Sequence, residues 1–263
     1  GPPRNSRSPL NQKHMDLARS LQAVTEQVIL AITRNLFNVS GQKNLCLAGG
    51  VALNCVANGR ILREGPFEEI WIQPAAGDAG ASVGTALAVN YLEDEGLERN
   101  PNKFRDSMRG SYLGPSYSND EIRAALGAHG ATFEELNEAT LLDVAAEALA
   151  NRKSLGWFQG RMEFGPRALG NRSILADPRS PDMQKILNMK IKYRESFRPF
   201  APSVLREDVS DWFEHETDSP YMLLVSDVQN EKRRAMTEEE KGLFGIDKLN
   251  VPRSSVPAIT HVD

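Results

Sequence analysis

Two cysteines, Cys46 and Cys55, are too few for a disulfide framework. Both sit among apolar or small residues and read as reduced thiols, which suits a cytoplasmic protein. Histidine is almost as scarce. His14, His129, His215 and His261 are scattered, and no His-x-x-x-His pair is present to begin a metal site. No apolar run approaches the roughly 18 residues of a membrane span, so nothing in the sequence calls for a membrane. Charge is not one-sided either. A net charge of -4 gives no general drive toward nucleic acid or anionic lipid. No internal repeat or low-complexity tract is visible. The leading residues, Gly1 to Pro9, lack the pattern of a signal peptide and read as a flexible lead, with Gly1-Pro2 matching a tag-cleavage scar.

What is present is ordinary globular material, 40% hydrophobic and 25% charged, over 263 residues, a length for one large domain or two modest ones. Leu17, Leu21, Val24, Val28, Ile32 and Leu36 recur at helical spacing and predict an amphipathic helix over 14–37. The run Leu45-Cys46-Leu47-Ala48 predicts a buried strand ending in Gly49-Gly50, followed by a helix over 51–63. Ile70-Trp71-Ile72 predicts the next strand. The turn Ala75-Ala76-Gly77-Asp78-Ala79-Gly80 then leads into a small-residue helix over 81–92. This alternation predicts a parallel βαβ unit with helices covering the sheet. Residues 93–109 are polar and predict a linker. Beyond it, strands are expected at 110–115, 154–158, 203–205, 221–225 and from 257. Helices are expected at 118–127, 140–151, 180–189 and 208–213. The charged stretch 229–248 reads as an exposed loop or helix.

Two features carry chemistry. The first is the pair of turns, Gly49-Gly50 and Gly77-Asp78, where strands end and helices begin. Ligands of open α/β sheets bind there, and helix N-termini offer N–H groups to phosphate. Asp78 suits a metal or a ribose hydroxyl, or else serves as a helix cap. The glycines equally permit close helix–strand packing. The second is a concentration of cations, glycines and prolines. Gly160-Arg161-Met162-Glu163-Phe164-Gly165-Pro166-Arg167-Ala168-Leu169-Gly170-Asn171-Arg172-Ser173 opens it, and residues 192–202, with Lys192, Arg194, Phe197, Arg198 and Phe200, close it. Guanidinium forks match phosphate or carboxylate oxygens, so a local anion site is expected. Arg167, Lys192 and Arg198 are the leading candidates, with Arg161, Arg172 and Arg194 behind them. Glu163 and Glu195 are expected to orient arginines by ion pairing; the plainer alternative is that some of these cations are solvated or paired with Asp177 and Glu195. Ser173 is a ligand hydroxyl or a turn residue.

The string Leu47-Ala48-Gly49-Gly50-Val51-Ala52-Leu53-Asn54, then Ile72 through Ser82 and Gly84, closely resembles the ATP-dependent O-carbamoyltransferases of nodulation-factor and antibiotic tailoring. The Gly160–Gly170 string and residues 192–202 match the same family. The resemblance implies the second half of an actin/hexokinase-like ATPase domain over 1–100 and a YrdC-like carbamoyl-activating domain over 101–263. It implies Gly49, Gly50 and Asn54 near the nucleotide, Asp78 as a metal ligand, and Arg161, Gly165, Arg172, Ser173 and Arg194 as binding residues around the catalytic Arg167, Lys192 and Arg198. It implies ATP and Mg2+, with Fe2+ in the full-length protein. The partners would be carbamoyl phosphate and a hydroxylated small molecule. The activated group would travel as carbamoyl-adenylate to the first domain. The family's histidine ligands and a further Gly- and Arg-containing C-terminal segment have no match here. Little complete transfer activity is therefore expected of this chain alone. Two other readings stand beside this one. A threonylcarbamoyl-type tRNA modification protein has similar first turns but lacks the Arg167 and 192–202 blocks. A non-catalytic nucleotide-binding module would have no need of Arg167, Lys192, Arg198 and Asp78.

Overall fold

A computed structural model describes residues 3–5, 8–93 and 106–261. Most of the expected linker, and much of the N-terminal lead, lie outside the described residues. The chain is a mixed α/β protein. It begins with helix α1 (Gln12–Ser40), opened by an Asn11 capping box and closed by Gly41 in the left-handed region. Strand β1 (Asn44–Leu47) follows, then helix α2 (Cys55–Glu64), strand β2 (Glu69–Ile72) and helix α3 (Asp78–Ala88). The two strands pair in parallel, Leu45 opposite Ile70 and Cys46 opposite Trp71, so the expected βαβ unit is present. A single turn of 3-10 helix, Gly50–Leu53, precedes α2, and Asn54 separates them by capping α2.

The leucine and valine stripe that predicts α1 is not the face that packs. Leu30 makes the buried contact, with Leu45 and Ile61, while Leu17, Leu21, Val24, Val28, Ile32 and Leu36 stay exposed, Leu21 by 70%. At 100° per residue Val28 and Ile32 lie about 200° from Leu30, so α1 is apolar on two opposed faces. Nor, among the described residues, do helices cover both faces of the sheet. Leu45 and Ile72 are buried, but Cys46 and Trp71 are exposed and α3 buries no residue.

Helices α4 (Asn119–Ala128) and α5 (Glu138–Ala150) fall where expected. Strand β3 (Leu155–Phe158) pairs antiparallel with β4 (Arg172–Leu175), an element the sequence did not announce. Helix α6 (Met183–Ile186) is only one turn and runs into a π turn, Leu187–Ile191. Four expected strands are absent. Residues 110–115 begin in a tight turn whose Arg109, Gly110 and Ser111 are all left-handed. Residues 203–205 run without strand pairing, and Pro257–Ile259 is a 3-10 turn. Residues 221–225 lie on α2 and find partners in its side chains instead of a neighbouring strand. Asn58 Nδ2 donates to Leu223 O at 3.0 Å and Arg63 Nη1 to Val225 O at 2.9 Å. Gly59 permits this approach, since a Cβ there would lie 2.6 Å from Val225 O.

One core cluster draws on residues before and after the expected linker and on Met108 within it. Ala52, Ile72 and Ala76 are buried with Met108, Tyr221 and Leu223, and Phe164 and Leu169 pack against them. The two glycine-bearing turns and the arginine loop thus rest on a common apolar floor.

Candidate functional site

The connection between β3 and β4 is the loop 159–171. Its centre is Glu163, which is 6% exposed. One carboxylate oxygen, Oε1, accepts the backbone N–H groups of Leu169 at 2.7 Å, Asn171 at 2.8 Å and Arg172 at 3.2 Å. Burial alone would push this carboxyl up. The N–H groups outweigh it and hold Glu163 below the usual carboxylate range. The ion pair expected of Glu163 with an arginine is therefore replaced by backbone N–H groups. A carboxylate buried in a tight loop turns to the donors nearest in space.

Further bonds hold the loop from outside. Phe164 N donates to Ser111 O at 2.7 Å, and Met162 exchanges bonds with Gly114 and Pro115. Tyr112 Oη donates to Leu169 O at 2.7 Å, and Asn171 Nδ2 to Arg161 O at 2.7 Å. Gly165, with φ of 129°, sets the loop against the first sheet turn. A Cβ there would meet Ala75 Cβ at 3.3 Å in a backbone conformation L residues rarely adopt.

Arg167 lies inside this loop, half-buried, and its Nε is buried with no hydrogen-bond partner among the described residues. A buried guanidinium donor left unsatisfied is costly, and its natural partner is an anion. The second-rank arginines are engaged. Arg172 donates to Gln159 O, Asn171 O and Gly160 O, and stacks over Phe158 at 3.4 Å. Arg161 donates to Leu113 O at 3.1 Å. Ser173 Oγ accepts Gly170 N at 2.9 Å, so its hydroxyl shapes the turn.

The segment 192–202 is held differently. Asn188, fully buried, donates to Ser196 O at 3.0 Å and Arg198 O at 2.8 Å, and accepts Arg194 Nε at 2.6 Å. Arg194 also sits 5.1 Å from the centre of the Phe200 ring; burial, with Arg198 nearby, lowers its pKa. Arg198 pairs with Glu195 at 2.7 Å, both about half exposed, as the sequence suggested. Lys192 is exposed, and its ammonium enters no ion pair among the described residues. Asp177 is spent on Arg179, also at 2.9 Å.

At the sheet end, Gly49 N donates to Ala76 O at 2.8 Å and ties the two turns together. Gly49, with φ of 93°, Gly50 and Gly77 all face open space where a Cβ would stand. Asn54 is occupied: it caps Ala57 N at 3.1 Å and bonds Gln22 of α1. Asp78 is exposed at the first turn of α3, and among the described residues no three acidic, histidine or cysteine groups converge on a metal position. Asp78 by itself does not make a metal site.

Sequence reasoning passed over Asn188, Tyr112 and the structural task of Glu163. Asn188 had no motif to mark it, because its role is to satisfy backbone carbonyls eight and ten residues away. Comparison with known proteins adds the family. The chain matches Carbamoyltransferase N-terminus over residues 4–87 and Carbamoyltransferase C-terminus over residues 146–263. The chain belongs to the carbamoyltransferase family. It is 57% identical to the uncharacterized protein sll1178 of Synechocystis, over 100% of this chain and 43% of that protein. It is 41% identical to nodulation protein NolNO of Sinorhizobium fredii, over 87% of this chain and 33% of that one. With nodulation protein NolO of Bradyrhizobium diazoefficiens it shares 41% identity, over 85% and 40%. The chain thus spans less than half the length of these relatives. Within the family matches, the N-terminal one holds both glycine turns and the C-terminal one holds Glu163, Arg167, Lys192 and Arg198.

Proposed function

We propose that this chain supplies two parts of an ATP-dependent carbamoyl transfer: the Arg167 loop with segment 192–202 as the carbamoyl-activating side, and the Gly49-Gly50 and Gly77-Asp78 turns as the nucleotide side of the transfer domain. The observation that carries it is the buried, unpartnered Nε of Arg167, held in a loop that packs on the glycine turns. In this reading carbamoyl phosphate and ATP bind first, and Arg167, Lys192 and Arg198 stabilise charge on the transferring and leaving phosphoryl groups. Water releases inorganic phosphate from carbamoyl phosphate, an oxygen of the resulting carbamate attacks the α-phosphorus of ATP as pyrophosphate leaves, and the carbamoyl-adenylate so formed is then attacked by a hydroxyl of a sugar or natural-product acceptor. The acceptor oxygen gains the carbamoyl carbon, AMP leaves, and the hydroxyl proton is released. The actin/hexokinase-like and YrdC-like folds belong to the same reading, as do the division near residue 100 and a reducing, cytoplasmic setting for the free thiols of Cys46 and Cys55. Mg2+ would enter with the nucleotide. Since Asp78 stands alone, no step is assigned to a metal. Among the described residues no helix is long and apolar enough to cross a membrane.

Calorimetric titration with carbamoyl phosphate, then with ATP, tests the reading. Binding of carbamoyl phosphate that weakens about 30-fold in Arg167→Ala supports it. Equal behaviour of wild type and Arg167→Ala would remove its foundation.

A further inference from the structure

The loop that carries Arg167 is a ring closed by one side chain. Glu163 stands at one end, and its Oε1 receives Leu169 N, Asn171 N and Arg172 N at the other. Residues 164–168 are enclosed between these points, with Arg167 among them. A ring this short leaves little freedom inside it, because closing it removes most of the conformations of the open chain. Pro166 fixes one further φ, and Gly165 seats the ring against Ala75. All three donors meet a single buried oxygen, so the carboxylate acts through the backbone. It touches neither Arg167 nor any other cation by ion pair among the described residues.

We propose that Glu163 is a positioning residue: by gathering the N–H groups of Leu169, Asn171 and Arg172, its carboxylate fixes where the Arg167 guanidinium points. The inference rests on the reading of Arg167 as an anion-binding cation. It assigns Glu163 no proton transfer. Three fixed donors fill Oε1, and the task assigned to Glu163 needs only those bonds. Its charge matters because a carboxylate accepts N–H groups more strongly than an amide oxygen does.

The test is a double-mutant cycle read by calorimetry with carbamoyl phosphate and, separately, inorganic phosphate, on the 263-residue chain. The variants are Glu163→Gln, Arg167→Ala and both together. Expected is a roughly tenfold weaker affinity in Glu163→Gln, and no further loss from Glu163→Gln once Arg167 is alanine. Amide exchange at Leu169 and Asn171 should quicken in Glu163→Gln while that of α2 and β1 stays unchanged. Binding that depends on Arg167 but is indifferent to Glu163→Gln would overturn the inference and leave the Arg167 reading standing. Wild-type binding that is indifferent to Arg167→Ala would overturn both. If Glu163→Gln does not fold, Glu163→Asp, which keeps the charge one methylene shorter, carries the same comparison.

Discussion

The two cationic segments resemble each other in composition and differ in how they are held. The Arg167 loop is fastened through its backbone by a buried carboxylate, and its key guanidinium is left with an unsatisfied buried donor. The 192–202 segment is fastened by buried Asn188, and its cations are exposed or paired: Arg198 with Glu195, Arg194 with Asn188, Lys192 in solvent. A cation fixed in advance can bind an anion without a cost of ordering, whereas exposed ones must be gathered. Arg167 is therefore expected to set the site, and Lys192 and Arg198 to close on a ligand already in place.

Removing the clasp breaks this contrast most severely. Glu163→Ala strips the partner from three backbone N–H groups and should cost on the order of 4 kcal/mol in urea unfolding. Asn188→Ala is the matching cut on the other side. It should cost about 3 kcal/mol and bring proteolysis to the 192–202 segment before the β3–β4 loop. Arg167→Ala sharpens the contrast instead. It removes a buried unsatisfied donor, so the unfolding free energy should hold or rise, by up to about 1 kcal/mol, while carbamoyl phosphate affinity falls by about 2 kcal/mol, or about 30-fold. Arg198→Ala should weaken that affinity less than Arg167→Ala does. Glu195→Gln, which breaks an exposed pair, should leave the urea midpoint essentially unchanged.

Acid should separate the segments as well. Glu163 is held below the usual carboxylate range, so its folded pKa lies below the unfolded value of about 4.3. Its contribution is full above that value and is lost as pH falls through the lower, folded one. Relative to β1, amide exchange at Leu169 and Asn171 should therefore stay slow through the ordinary carboxylate range and quicken only below it, a limb that Glu163→Gln lacks.

Much of this was legible in the chain. The glycine turns and the arginine blocks are local patterns whose spacing survives any packing, and they carried both the βαβ unit and the family. What the sequence could not say follows from the same physics. Helix α1 has two apolar faces, and periodicity alone does not choose the one that meets Leu45 and Ile61. Residues 221–225 have the composition of a strand, but Asn58 and Arg63 supply the hydrogen bonds a neighbouring strand would have given. Glu163 among arginines suggests an ion pair; only the folded loop brings three N–H groups to its oxygen. Residue types and their order determined which turns and cations this protein has. Tertiary structure decided which of those cations is left unpaired, because burial and hydrogen-bond satisfaction depend on groups far apart in sequence.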